Sequence, residues 1–142
     1  MKTSFIIFTI FMVCGMQAQT TAIPDSNFEQ ALLDLGIDSD GTLNGEVLTA
    51  DIINVQTLDL SDRYLENLIG LEDFESLRIL DISHANLYNG TYPNILDLTF
   101  LDNLEELYID GDIDNIVIYV NILDVSSNPN LKIVQARGNW DL

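Results

Sequence analysis

Basic residues are scarce in this chain. Its 142 residues include five lysines and arginines against 23 aspartates and glutamates, for a net charge of −18. Such a surface repels nucleic acid and anionic membrane, and the cationic footprint that phosphate binding needs is missing. Positive partners or divalent cations are what it would attract. Cysteine is nearly absent as well. Cys14 is the only one, so no disulfide can close within the chain and stability must come from packing. Histidine occurs once, at His84, and there is no phosphate loop or zinc-ligand spacing. His84 follows Ser83 directly, and neighbouring strand residues point to opposite faces, so the two do not form a nucleophile with its base. The sequence therefore reads as non-enzymatic. Apolar residues are plentiful at 47%, enough for a core, which excludes disorder by composition.

The N-terminus reads as a signal peptide spanning residues 1–18. Lys2 gives a positive start, and Phe5 to Val13 is an apolar run too short to cross a bilayer. Cleavage after Ala18 is expected, leaving Gln19 first. Val13 stands before Cys14 where lipid attachment requires a small residue, so Cys14 leaves with the signal. The mature chain keeps 23 acids against 4 bases, or −19, because Lys2 is the only charged side chain removed. Secretion or display at the cell surface follows, with no membrane span once the signal is gone.

Residues 19–54 are expected to form an N-terminal cap around a helix at about 25–35. Ser26-x-x-Glu29 reads as a capping box, and Asp25 adds negative charge at the positive helix end. Phe28, Ala31, Leu32 and Leu35 give that helix one apolar face, and Gly36 offers a stop. A turn-rich loop follows at Asp38 to Gly45.

From Val55 onward the chain repeats itself. Val55, Leu58, Leu60 and Leu65 are spaced as Leu77, Leu80, Ile82 and Leu87 are. Leu104, Leu107 and Ile109 begin a third copy, and Leu131, Val134 and Ala136 a fourth. The starts at 55, 77, 104 and 131 give periods of 22, 27 and 27 residues. Fixed offsets at periods in the twenties mark a leucine-rich-repeat solenoid. The fold class is therefore α/β: about four repeats over 55–142, one parallel strand each, with irregular outer returns. Leu65 to Phe74 forms a compact return, with Leu68, Leu71 and Phe74 pointing inward. Tyr88 to Leu101 is read as a longer return broken at Gly90 and Pro93. Within 113–130, Val120, Leu123, Val125 and Asn128 repeat the offsets once more and predict a second strand on the outer side.

The segment IPDSNFEQALLDLGIDSDGTLNGEVLTADI followed by VQTLDLS resembles the N-terminal cap and first repeat of internalin-like leucine-rich-repeat proteins, in particular those secreted by Bacteroidetes-type bacteria. ENLIGLEDFESLRILDIS is similar to the short internalin-type repeat, and LDVSSNPNLKIV to the two-strand phrase of the secreted group. The resemblance covers Ile23 to Asn139. It implies a binding scaffold, and it implies a ladder of asparagines bonding neighbouring backbone. Here Arg63, Ala85, Asp112 and Asn139 hold those places, so only the last matches. No closing cap follows Asn139, which predicts an apolar edge at Leu131, Val134 and Trp140 through which copies could self-associate.

Binding in such an array is expected on the strand-face residues that alternate with the buried leucines. These are Thr57, Asp59 and Ser61; Ile79, Asp81 and Ser83; Glu106, Tyr108 and Asp110; Ile133, Gln135 and Arg137. An acidic face with one aromatic suits a protein, peptide or glycan partner outside the cell. A second reading makes the acids calcium ligands of a structural or adhesion module. Asp38, Asp40 and Asn44 have part of the loop spacing that calcium requires, as do Asp110, Asp112 and Asp114, but both sets lack the terminal carboxylate. A third reading takes the chain as a non-functional fragment of a longer secreted repeat protein.

Overall fold

The computed structural model describes residues 18–87, 95–111 and 120–139. Strands are only three residues long, and their order explains how such short pieces are stable. β3 (Thr57–Asp59), β4 (Ile79–Asp81), β6 (Glu106–Tyr108) and β8 (Ile133–Gln135) form one parallel sheet in that order. Leu58 pairs with Leu80, Leu80 with Leu107, and Leu107 with Val134. The first three are fully buried. At roughly 1.5–3 kcal/mol for each buried leucine, stacking does for the group what one strand cannot do alone.

A second parallel sheet joins β5 (Ile95–Asp97) to β7 (Ile122–Asp124), pairing Ile95 with Ile122 and Asp97 with Asp124. The outer strand expected within 113–130 is therefore present as β7. Its partner corrects the reading of Tyr88 to Leu101 as a plain return, because that stretch ends in a strand. ILDLTFLDNL at 95–104 and ILDVSSNPNL at 122–131 are one phrase 27 residues apart. Gly90 and Pro93 fall in 88–94, outside the described residues.

The same turn leads from the outer side into each inner strand. Leu77 N–H donates to Phe74 O, Leu104 N–H to Leu101 O, and Leu131 N–H to Asn128 O, at 3.0, 3.1 and 3.1 Å. Phe74, Leu101 and Asn128 therefore hold one place in successive repeats. Phe74 and Leu101 fill it with apolar bulk. Asn128 is buried there too, and its Nδ2 donates to the carbonyls of Leu98 and Leu101 at 2.9 and 2.8 Å. Nearer the surface, Asn103 and Asn130 donate to Glu75 O and Asp102 O of the preceding repeat. Asn139 also behaves as the repeat asparagine should, with Nδ2 on Ile109 O at 2.6 Å and Oδ1 accepting from Val120 N–H.

At the other end α1 spans Ser26–Asp34, and Phe28, Ala31 and Leu32 of the expected apolar face are buried, but Leu35, also expected there, is the C-cap and is exposed. Its capping differs from the expectation. Asp25, not Ser26, is the N-cap, and its Oδ1 accepts from Asn27 and Phe28 N–H. Glu29 does not reach back to the cap. Its carboxylate turns to the Asn44 and Gly45 amides at 2.7 and 2.9 Å and fixes the end of the turn-rich loop. Three further elements follow no period in the sequence. β1 (Thr20–Ala22) and β2 (Glu46–Leu48) pair antiparallel, and the one-turn α2 (Thr49–Ile52) follows β2.

This N-terminal layer lies against the first return. Phe28 stacks on Phe74 with ring centroids 6.2 Å apart, Thr21 Oγ1 donates to Asp73 Oδ2 at 2.6 Å, and Asp25 Oδ2 accepts from the amides of Glu66 and Asn67. Gly70 is forced by the contact: a Cβ there would sit 2.6 Å from Ala22 O, and its φ is +99°.

Candidate binding face

The parallel register puts like positions in columns. Thr57, Ile79, Glu106 and Ile133 form one, and Asp59, Asp81, Tyr108 and Gln135 a second. Every one of these side chains is at least partly exposed. Ser61, Ser83, Asp110 and Arg137 follow at the strand ends, where the surface closes. Ser83 and Asp110 are buried, so these two of the expected contact residues are not free to meet a partner.

The aspartates at the end of these strands share one local job. Asp59 Oδ1 accepts from the Ser61 amide and hydroxyl at 2.9 and 2.6 Å, and Asp81 Oδ1 from the Ser83 amide at 2.8 Å. On the outer sheet Asp97 does the same with Thr99, and Asp124 with the Ser126 amide. Each is a turn in which a carboxylate replaces a backbone carbonyl and ends the strand. The Ser61 side-chain bond, then its amide, holds the Asp59 carboxyl below its usual range. Asp59 therefore stays charged.

The third and fourth rungs break this pattern. Tyr108 replaces the aspartate, and its hydroxyl donates to Glu106 Oε2 at 2.7 Å. That bond, then burial, raises the phenol above its ordinary value and keeps it protonated. Asp110 is clamped by the fourth rung: Gln135 Nε2 and Arg137 Nη2 each lie 2.7 Å from Oδ2, and the Arg137 amide donates to Oδ1. Burial works to raise this carboxyl, but the Arg137 and Gln135 donors outweigh it and hold the group below its usual range. Acid is thus concentrated at Asp59, Asp81 and Glu106, and neutralised beyond them. A dip of about 150 Å³ between Gln56, Thr57, Arg78, Ile79, Glu105 and Glu106 opens at the start of the same strands.

Elsewhere the expected metal loops are engaged internally. Asp40 Oδ1 accepts from the Thr42 amide and hydroxyl, and its Oδ2 from Asn44 Nδ2; Asn44 Oδ1 accepts from Glu46 N–H. Asp38 is buried, with Oδ1 on the Asp40 amide and Oδ2 without a partner. Asp110 is held by Arg137, while Asp112 and Asp114 lie outside the described residues. Among the described residues no three His, Cys, Asp or Glu side chains converge as a metal site would require. His84 is exposed, with Nδ1 3.3 Å from Asp62 Oδ1, and both residues have φ of 57°. Among the described residues no helix is long and apolar enough to cross a membrane.

Fourteen solved chains match this fold. One is an internalin, InlF, from Listeria monocytogenes, with a TM-score of 0.52 at 17% identity; the match covers 84% of this chain and 38% of that one. The protein has an internalin-like leucine-rich-repeat fold. No family model and no curated protein sequence matches the chain. This chain therefore spans well under half the length of the internalin it matches, and at 17% identity the likeness speaks for the fold alone. The repeats at 55, 77, 104 and 131 correspond to the inner strands β3, β4, β6 and β8.

Proposed function

We propose that this is a secreted, non-enzymatic leucine-rich-repeat module of the kind released by Bacteroidetes-type bacteria, in which α1 and the β1–β2 pair cap a short solenoid. It recognises a protein, peptide or glycan outside the cell through the columns of its inner sheet. The observation that carries this is the register. It sets Asp59, Asp81 and Tyr108 side by side on a rigid backbone, with Thr57, Ile79 and Glu106 beside them. Rigid strands carry such side chains with little further ordering on binding. The charge of the face favours a partner that offers cationic groups. The location of the sheet also suits export, because β1 begins at Thr20, beyond the cleavage expected after Ala18.

The test is capture from cell-surface extracts with the mature chain and with a variant carrying Asp59→Ala, Asp81→Ala and Tyr108→Ala. The reading expects a partner that the wild type retains and the variant loses, with the variant still folded at the temperature of the assay. Equal recovery by both proteins would overturn it.

A further inference from the structure

The outer wall of the solenoid changes at the first repeat. Aligned on the shared turn of Phe74, Leu101 and Asn128, residues 68–70 stand where the next two repeats have β5 and β7. They form no strand, and among the described residues the outer ladder stops at β5. The amides at this place are already taken. Those of Glu66 and Asn67 donate to Asp25 Oδ2 of the N-terminal layer, that of Ile69 to Asn67 Oδ1, and that of Gly70 to Glu72 Oε2. The first return and β5 therefore stand apart. Between them lies a cavity of about 310 Å³, at the small end of the range for small-molecule sites. Leu68, Leu96 and Val120 line it, and Ile69, Ile95 and Phe100 stand 52%, 54% and 40% exposed around it.

Charge says what the cavity lacks. Three carboxylates belong to its lining, Glu66, Glu72 and Asp97, and no base does. Glu72 and Asp97 each commit one oxygen, to Gly70 N–H and to Thr99. The Glu66 carboxylate meets no donor among the described residues. The chain has no base to spare for them. After Ala18 its lysines and arginines are Arg63, Arg78, Lys132 and Arg137. They pair with Asp34, Glu105, Glu105 and Asp110 in turn, and His84 lies against Asp62. Residues 88–94 and 112–119 contain no lysine, arginine or histidine. A second copy would bring the same paired bases and more acid. The cation that complements this apolar cavity therefore comes from outside the chain.

We propose that this cavity binds a small organic cation, an ammonium carried on an alkyl or aryl body. The body is buried among Leu68, Ile95 and Phe100, and the charged head meets the Glu66, Glu72 and Asp97 carboxylates. Apolar burial supplies the affinity, and the carboxylates select the cation over a neutral or anionic molecule of the same shape. The site lies on the outer side of the solenoid and does not depend on the inner columns as a recognition face.

The probes are hexylamine, hexanol and hexanoate, which share an alkyl chain and differ in charge. Each is titrated into the mature chain, and the methyl resonances of Ile69 and Ile95 are followed by NMR. Hexylamine is expected to shift both saturably and to bind about tenfold more tightly than hexanol, with hexanoate weakest. Glu66→Gln, which breaks no hydrogen bond of the fold, should weaken hexylamine about threefold. Glu75→Gln, which removes an exposed acid outside the cavity, should leave its affinity unchanged and so exclude a mere response to net charge. Equal binding of hexylamine and hexanol, or equal weakening by the two variants, would overturn the proposal. No saturable shift at millimolar hexylamine would overturn it too, as when residues 88–94 or a second copy already fill the cavity. So would shifts confined to Ile79 and Ile133, which would move the cation site to the inner sheet.

Discussion

Arg137 Nη2 lies 2.7 Å from Asp110 Oδ2, across one step of the repeat. This pair removes a carboxylate from the candidate binding face and uses it to join the last rung to the one before. Because the pair and Gln135 hold Asp110 below its usual range, the contribution has a definite pH dependence. A depressed carboxyl stabilises the fold above its unfolded value, about 3.9, and loses that contribution as pH falls through the lower folded value. Asp110→Asn should therefore lower the urea midpoint at pH 7. The gap to wild type should close below about pH 4. Urea melts at pH 7, 5 and 3 check this, and a gap constant with pH would contradict it.

Asp38 has the opposite sign. Burial, the stronger influence, and then the nearby Asp40, Glu29 and Asp51 charges raise its carboxyl above the usual range, despite the bond from the Asp40 amide. A raised carboxyl costs stability when ionised, and the fold regains it as pH falls through the raised folded value. Asp38→Asn keeps an oxygen for the Asp40 amide and removes the charge. It should stabilise the chain at pH 7 by on the order of 1 kcal/mol. The gain should shrink toward pH 4, as followed by thermal melts.

Gly70 and Gly36 separate close approach from backbone conformation. Both have positive φ, but a Cβ at Gly36 meets nothing within 4 Å, whereas one at Gly70 runs into Ile23 and Ala22 O. Gly36→Ala should cost about 1 kcal/mol, the price of a left-handed alanine. Gly70→Ala should cost about 3 kcal/mol or more, by overpacking as well as strain. The N-terminal layer should separate first, seen as faster exchange at the Thr21 and Ile23 amides.

Asn128 tests the asparagine that the repeats do use. Asn128→Leu restores the residue found at the same place one repeat earlier, Leu101, and fills the space with apolar bulk. It also leaves the carbonyls of Leu98 and Leu101 without their side-chain donor. Each carbonyl keeps one backbone donor, the Leu101 and Leu104 amides, so the cost is that of two lost hydrogen bonds, about 0.5–1.5 kcal/mol each, which together should exceed the gain from apolar burial. Chemical denaturation should show a lower midpoint with an unchanged slope.

Much of this architecture could be read from spacing alone. The inner rungs were legible because leucines at fixed offsets must stack to be buried, and the observed columns follow the offsets from 55, 77, 104 and 131. β5 was hidden because Leu101 and Asn128 differ at the turn, which disguises the equivalence of ILDLTFLDNL and ILDVSSNPNL. β1, β2 and α2 are three or four residues each, too short to show a period, and tertiary contacts define them. The capping box at Ser26 and Glu29 obeyed the local pattern, but Asp25 had a better position and Glu29 a better use at Asn44 and Gly45. On the candidate face, alternation placed Asp59, Asp81 and Tyr108 correctly. The burial of Ser83 and Asp110 comes from the next rung folding over the strand ends, which no single repeat reveals.

The most direct measurement of recognition by the inner face is site-specific photocrosslinking. A photoreactive residue is placed at Asp81 on the inner sheet, or at Phe100 on the outer side, and each protein is irradiated with cell-surface extract. Recognition through the inner columns predicts a discrete adduct from Asp81 and none from Phe100, with the Asp81 adduct lost when Asp59→Ala and Tyr108→Ala are added. An adduct from Phe100 alone, or equal adducts from both positions, would contradict it.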